Sequence, residues 1–350
     1  MSTSGTVGQT VISVQKLIDH GARRAGKLAE ELTVEQVEAS KDSLYYILSN
    51  LPNIGIHYWC IDKVIIGLTP EKYIYSLPVG TIDVLNVNYR TLNANTTGGN
   101  SSSGVAANAF DGIYTNICQL SNNTGSIGVA LGTSIYIGTV GILPAVSGSV
   151  TLTVETSSDG VVWTNVYSPG ATTWVAGTWI YYDLDPSNLQ PYWRIKQSAG
   201  VSMGVYQVVF GSNANETPLA RLNRDDYTNL PNKNFLSNRP LQYWFDRTIP
   251  QPSMYVWPSS NTYEPQIVAW KHRQVQDIGD LSGELEIPQR WYLAIQNMLA
   301  HQMALELPTV DPARATYLET QADKYWNMAE QEERDKSPIY FAPNISYYTR

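Results

Sequence analysis

Charge is scarce in this chain. Only 15% of its 350 residues are Asp, Glu, Lys or Arg, where a quarter is usual. The balance is −8, which argues against a protein that grips nucleic acid through its phosphates. It leaves room for a surface past which DNA slides without adhering. Cysteine is scarcer still: Cys60 and Cys118 stand alone, too few for a disulfide framework, and synthesis in a reducing compartment is expected. No apolar run approaches the ~20 residues that span a bilayer. The opening MSTSGTVGQT has neither a basic nor an apolar segment, so no signal peptide is expected. Catalytic signatures are missing too. His20, His57, His272 and His301 lack metal-ligand spacing, and there is no phosphate-loop, nucleophile-elbow or zinc-protease pattern.

What is present is apolar and aromatic: 43% hydrophobic residues, with Tyr and Trp plentiful. That suffices for two or three buried cores at this length. The clearest helix signal is Thr33–Asn50. Thr33 and Gln36 have capping-box spacing; Val34, Val37, Leu44 and Leu48 share a stripe interrupted by Lys41; Asn50 before Leu51-Pro52 is expected to end it. A helix this short needs partners. Val11–Lys27 has helical spacing through Val14, Leu17 and Ile18, with Gly21 expected to end the run. Its basic cluster, Arg23, Arg24 and Lys27, is either a solvated face or a contact to an acidic neighbour or DNA. The other strong helices lie in the last quarter. One starts at Pro288 and runs to about Glu306, with Trp291, Ile295, Met298 and Leu305 as its stripe. The next is capped by Asp311 and faces inward through Leu318, Ala322, Tyr325 and Ala329. The two chain ends are therefore expected to form one helical body.

Between them the pattern turns to strands. Tyr58–Leu68, Tyr73–Leu77 and Thr81–Tyr89 come first, then Tyr243–Phe245, Ser253–Trp257 and Gln266–Lys271, which should pair with them. Asn93–Val105 is a Gly/Ser/Asn linker. From 106 to 211 short Val/Ile/Thr/aromatic segments recur between turns (Ser134–Ile142, Ser149–Thr156, Val161–Tyr167, Thr178–Leu184, Tyr192–Gln197), the pattern of an antiparallel sandwich. The expected fold class is α+β: a helical core with a small antiparallel sheet, formed by 1–92 and 218–350, plus an inserted all-β jelly-roll sandwich at 106–211.

Candidate residues are few. Trp163, Trp174, Trp179 and Trp193 are either sandwich core or a sugar-stacking platform, and Trp174, in the turn-like Pro169–Gly177 region, is the best candidate for an exposed, glycan-binding ring. Asp111, with Gly112 and Thr115, forms either an ordinary turn or oxygen ligands for a structural calcium. Asp280, Glu284 and Glu286 precede Pro288, where anions suit a helix start; a hydrolytic carboxylate pair is the alternative. Cys60, between Trp59 and Ile61, reads as a buried, inert thiol. The tail from Ser337 onward is aromatic and proline-bearing, suited to docking on a partner.

The insert resembles the discoidin-like, factor 5/8 C-terminal type of galactose-binding jelly roll. The resemblance is carried by Ala109–Gly112 with Thr115, Val129–Gly132, Thr153–Gly160 with Trp163, and Tyr192–Ile195. It departs at Asn116-Ile117-Cys118, where the family usually has Trp. It implies a calcium-assisting Asp-Gly turn and sugar-binding loops, though no fixed sugar-binding residue carries over. The remainder resembles the head-to-tail adaptor, or tail accessory factor, of short-tailed bacteriophages, through Tyr75–Pro78, Ile82–Arg90, Tyr243–Arg247, Trp257-Pro258 and Ile287–Trp291. That resemblance implies a twelve-fold homo-oligomeric ring, located at the virion's head-tail interface and made in the host cytoplasm. The ring would contact a portal protein, tail nozzle or fibre proteins and passing double-stranded DNA. Tyr340, Phe341, Ile345, Tyr347 and Tyr348 would dock on the portal, and Arg23, Arg24 and Lys27 would face the ring or channel. The expected function is thus a non-enzymatic virion structural protein. The alternatives are a protein that binds capsid or host glycans through the sandwich and a cell-wall hydrolase.

Overall fold

The computed structural model describes residues 12–332 apart from 56, 96–98, 186, 263–265 and 309, with the side chains of 92–95 and 213–214 also left aside. Two helices, α1 (Val14–Ala25) and α2 (Val34–Ile54), lead into strands β1 (Ile61–Gly67), β2 (Ile74–Ser76), β3 (Thr81–Asn95) and β4 (Gly99–Ser101). Next come β5 (Cys118–Gln119), β6 (Ser126–Tyr136), β7 (Thr139–Pro144), β8 (Gly148–Ser157), β9 (Thr164–Trp174), β10 (Ile180–Asp183), β11 (Leu189–Gly200) and β12 (Gly204–Pro218). After β13 (Ala220–Leu222) and a single helical turn α3 (Arg224–Thr228), the chain forms β14 (Leu236–Ser237), β15 (Gln242–Asp246), β16 (Ser253–Trp257), β17 (Ser259–Ser260) and β18 (Gln266–Arg273). It closes with α4 (Tyr292–Glu306) and α5 (Pro312–Glu332). No helix among the described residues is long and apolar enough to cross a membrane.

The chain divides into two compact units, one built from the segments up to Ile61 and from His272 onward, the other from Asp62 to Lys271. The first is helical and joins the distant chain ends: Leu17, Ile18, Leu44, Leu48, Leu51, Trp291, Ile295, Leu299, Met303 and Leu318 share one core. The Thr33 hydroxyl accepts from the Gln36 backbone at 3.3 Å while the Gln36 side chain accepts from the Thr33 N–H at 3.2 Å, closing the capping box. The helix does not stop at Asn50. It carries Pro52 inside its last turn and ends at Gly55. A proline there withholds the one N–H that would have bonded the Leu48 carbonyl, while its fixed φ remains compatible with the helix.

Gly21 does not end α1. It sits at mid-helix, where an added Cβ would lie 2.8 Å from Met303 Sδ, and its lack of a side chain lets α1 approach α4. The helix ends instead at Gly26, whose φ of 101° is the left-handed conformation that glycine adopts freely. In α4 the stripe is Trp291, Ile295, Leu299 and Met303, whereas Leu305 is exposed. Helix α4 packs against α1, α2 and α5, so its burial is too broad for a one-face pattern.

The second unit holds four sheets. A five-stranded sheet, ordered β4-β6-β11-β8-β9, faces part of a larger sheet, ordered β1-β18-β3-β12-β7-β10 with β5 beside β12. Between them lies the sandwich core: Ile127, Val129, Val150, Leu152, Val154, Trp174, Trp193 and Ile195, together with Val140, Ile142, Val205, Val208 and Phe210. The strict alternation of Val150, Leu152 and Val154 inward with Thr151, Thr153 and Glu155 outward follows from the two-residue repeat of a strand. The segment expected as one strand, Ser134–Ile142, breaks at Ile137-Gly138. There the chain leaves β6 in one sheet and enters β7 in the other. Val161–Val162 are a bend rather than strand, and β9 begins at Thr164.

Strand pairing runs through the Gly/Ser/Asn segment expected as a linker. β3 continues to Asn95 and pairs with β12, from Asn88 opposite Pro218 to Asn95 opposite Phe210, with a register shift between Gly211 and Ala214. β4 pairs with β6. The other end of β12 pairs with β7. One long strand thus pairs with β7 of the sandwich along one half and with β3 along the other, all within a single sheet. A four-stranded sheet, β13-β15-β16-β2, contributes to a third core of Leu68, Tyr75, Val84, Phe245, Met254, Val256 and Ile267. It is not wholly antiparallel, because β13 runs parallel to β15.

Candidate functional site

The outer face of the five-stranded sheet carries a candidate site. In β11 the buried Trp193 and Ile195 fix Tyr192, Arg194 and Lys196 on the opposite face. Registers then place a row across all five strands: Asn100 opposite Gly128, Gly128 opposite Arg194, Arg194 opposite Glu155, and Glu155 opposite Asn165. Gly128 is the point of closest strand approach in that row. A Cβ there would come within 2.5 Å of the Trp193 carbonyl oxygen and 2.6 Å of Arg194 Cβ, so no other residue fits without moving backbone.

The turn after β8 arches over the row. Asp159 Oδ1 accepts from the backbone N–H groups of Val161 at 2.8 Å and Val162 at 2.9 Å and from the Ser157 hydroxyl at 2.9 Å. These donors, the Val161 N–H first, hold its carboxyl below the ordinary aspartate range. Gly160 supplies the φ of 74° that the turn requires. The tightened loop lays Trp163 across Arg194, with the guanidinium carbon 3.9 Å from the ring centroid. Arg194 is also paired with Glu155, Nε to Oε2 at 2.7 Å, so its charge is neutralised within the sheet. Beside this stack is an open trough of about 270 Å³, bordered by Trp163, Tyr192, Asn100, Ser101, Ser102 and Ser126. Aromatic faces and neutral hydroxyl and amide groups border a shallow space just below the usual size of a drug-sized pocket.

The other sequence candidates fall elsewhere. Trp174, expected to be exposed, is fully buried at the end of β9, and Trp193 is equally buried. Both fill the sandwich core, so neither offers a face to a ligand. Trp179 is buried and stacks on Tyr181 at 5.3 Å, apart from that core. Of the four tryptophans weighed as a platform, Trp163 is the one left half-buried.

Asp111 ends in an Asx turn: Oδ1 accepts from the Ile113 N–H and Oδ2 from the Asn116 side chain, each at 2.7 Å. Thr115 lies in the same turn region. Among the described residues no three His, Cys, Asp or Glu side chains gather as a metal cluster.

In the helical unit, Glu286 is clamped by Arg273, Nη1 to Oε2 at 2.7 Å with a second bond from Nη2, and accepts from the Gln276 N–H at 3.2 Å. Glu284 bridges Ser13 through backbone. Arg24 donates to Asn297, Arg23 is exposed, and Lys27 is half-buried. Cys60 and Cys118 are buried and in no disulfide, and burial pushes the Cys118 thiol up. Tyr340, Phe341, Ile345, Tyr347 and Tyr348 lie outside the described residues.

Sequence reasoning missed Arg194, Gly128 and Asn100. The alternation in Tyr192-Trp193-Arg194 could have set Arg194 outward. The pairing of Gly128 with it could not be read without the register.

No family model and no curated protein matches this chain. Solved structures do. The CBM32 of AlyQ in complex with 4,5-unsaturated mannuronic acid is 17% identical and covers 34% of this chain and 97% of its own, with a TM-score of 0.31. A pectin-binding carbohydrate-binding module is 15% identical over 34% of this chain and 91% of its own, with a TM-score of 0.30. Chitosan-binding module 1 of a chitosanase/glucanase from Paenibacillus sp. IK-5 is 22% identical over 34% of this chain and 95% of its own, with a TM-score of 0.28. At these scores none of them decides what this chain binds.

Proposed function

We propose that this chain is a glycan-binding protein whose sandwich takes a neutral sugar in the trough beside Trp163. The observation that carries this reading is the Trp163–Arg194–Glu155 stack beside the trough that Gly128 helps to line. A rigid aromatic face and a rim of hydroxyl and amide groups suit the mixed apolar and polar surface of a pyranose. Arg194, the cation that borders the trough, is paired with Glu155, and Lys196, 3.9 Å from the same carboxylate, does not border it, so the trough itself offers no unpaired positive charge to an acidic sugar. The test is a glycan array probed with the full-length protein. Binding to neutral glycans, lost in Trp163→Ala with an unchanged melting temperature, is the expected result. A silent array, or a Trp163→Ala protein that binds as the parent does, would overturn the reading.

A second reading concerns the helical unit and is favoured by an open groove of about 670 Å³ bordered by Tyr46 and Ile54 of α2, Met298 of α4 and Trp326 of α5. Tyr46 and Ile54 are exposed there, and apolar surface rimmed by polar groups suits an assembly contact. On this reading the chain is a head-to-tail adaptor subunit at the virion's head-tail interface. It assembles as a ring with portal and tail proteins around passing DNA, and the sandwich meets capsid or host glycans. Negative-stain images should show rings when portal protein is added; a chain that stays monomeric would remove the reading. Both readings are of binding rather than catalysis. A peptidoglycan zymogram is expected to stay uncleared by the parent protein. Clearing that is lost in Glu284→Gln or Glu286→Gln would reverse that view.

A further inference from the structure

A second cavity, of about 500 Å³, lies in the helical unit where α1, α4 and α5 meet. Its wall includes Arg23 and Arg24 from the end of α1, Arg314 and Gln321 from α5, Asn297 from α4, and His20 at the rim. Among the described residues no aspartate or glutamate lines it, in a chain with 31 acidic residues against 23 basic ones. Nor does any ion pair among the described residues engage Arg23, Arg24 or Arg314. Three guanidinium groups therefore converge on one space with no carboxylate to balance them.

The surroundings hold these groups in place. Arg24 donates to Asn297, which is fully buried and anchored by a bond from its Nδ2 to the Leu293 carbonyl at 2.6 Å. Arg314 donates from Nε to the Arg24 carbonyl at 2.8 Å and from Nη2 to the Arg23 carbonyl at 3.4 Å. It thus answers the negative end of α1 and keeps Nη1 for another acceptor. Gly26 makes that position possible, since a Cβ there would lie 2.7 Å from Arg314 Nη1. Like charges gathered without a counter-ion repel one another. A ligand that supplies the missing negative charge removes that cost.

We propose that this cavity is a phosphate-binding site. Planar guanidinium forks match the paired oxygens of a phosphate group, and three of them suit its charge better than that of a single carboxylate. The phosphate could belong to a small molecule or to a nucleic-acid backbone, and both sources present the same oxygens. Lys27 does not line the cavity and takes no part. The inference is independent of the sugar trough.

The test uses the full-length chain with inorganic phosphate and pyrophosphate in calorimetry at fixed ionic strength, and with duplex DNA in fluorescence anisotropy. Arg23→Gln is the diagnostic variant, because Arg23 is exposed and its side chain supports no other contact described above. Arg224→Gln, on another exposed surface, is the control. Phosphate affinity is expected to fall about tenfold or more in Arg23→Gln, the loss of one charged hydrogen bond, and to stay unchanged in Arg224→Gln. If duplex DNA binds, competes with phosphate and weakens in the same variant, the source is a nucleic-acid backbone. If phosphate binds and DNA does not, it is a small molecule. Absence of binding to all probes, or equal weakening in both variants, overturns the proposal. Thermal melting of Arg23→Gln checks that the fold persists.

Discussion

Arg90 shows how much one side chain can hold. It is 5% exposed and donates to Glu216 Oε1 from Nε at 2.9 Å and from Nη2 at 2.6 Å, and to Asp183 Oδ1 at 3.1 Å. Lys63 and the Thr139 hydroxyl also reach Asp183. Burial works to raise the Asp183 carboxyl, but the bond from Lys63 and the charges of Arg90 and Lys63 outweigh it and hold it below the ordinary range. Glu216 is lowered in the same way: burial opposes, while Asn88 and Arg90 prevail. Carboxyls depressed in the folded state add stability above their unfolded pKa of about 4, and that stability is lost as pH falls through the lower folded value. Arg90→Met should therefore cost roughly 2–3 kcal/mol in urea unfolding at pH 7. That is less than for a fully buried pair, because both carboxylates are about a third exposed. The gap between parent and variant should narrow below about pH 4. A pH-independent gap would remove the electrostatic account. Trp174→Ala is expected to cost about 3–5 kcal/mol as a core cavity and to leave sugar binding intact at temperatures where the protein is folded. This residue was misjudged because Pro169 and Gly170 suggest a loop, whereas β9 runs through them and returns Trp174 to the core.

Among elements, the start of α2 at Thr33 was legible because capping chemistry is local, whereas the stops expected at Gly21 and Asn50 were not, because both helices continue through them. Thr33→Ala should lower stability by about 1 kcal/mol in thermal or urea unfolding. The stripe of α4 was harder, since a helix covered on several sides loses the contrast on which periodicity depends. The break of Ser134–Ile142 was hidden for a related reason: a chain passing between two sheets keeps its β-branched composition and changes only its direction. The trough is equally an element property. Gly128→Ala should destabilise the five-stranded sheet and abolish sugar binding together, read by melting temperature and glycan array, because the added methyl meets backbone rather than a movable side-chain tip. Gly128→Ala binding as the parent does would show that the close strand approach at Gly128 does not shape the site. The outward-facing tryptophan was within reach of the sequence; its partner glycine two strands away was not.

At the scale of the whole molecule, the joining of the chain ends into one helical unit followed from the sequence. No helical segment could bury its stripe alone, and the strong segments lay at opposite ends. The extent of the other unit did not follow, because Gly, Ser and Asn between 93 and 105 suggest a tether while backbone pairing ignores side-chain composition. A fragment spanning 62–271 should fold by itself, since its ends lie on β1 and β18, which are neighbours in one sheet. Residues 1–61 alone should give no cooperative thermal transition, as their core partners lie beyond residue 271. A cooperative melt of that fragment would contradict the shared core.

The double pairing of β12 has a mechanical side. Because β12 pairs with β7 at one end and with β3 at the other, the sandwich is joined to the rest of its unit by a ladder of backbone bonds within one sheet. A module joined in this way is held by pairing along a strand rather than by a single-chain tether.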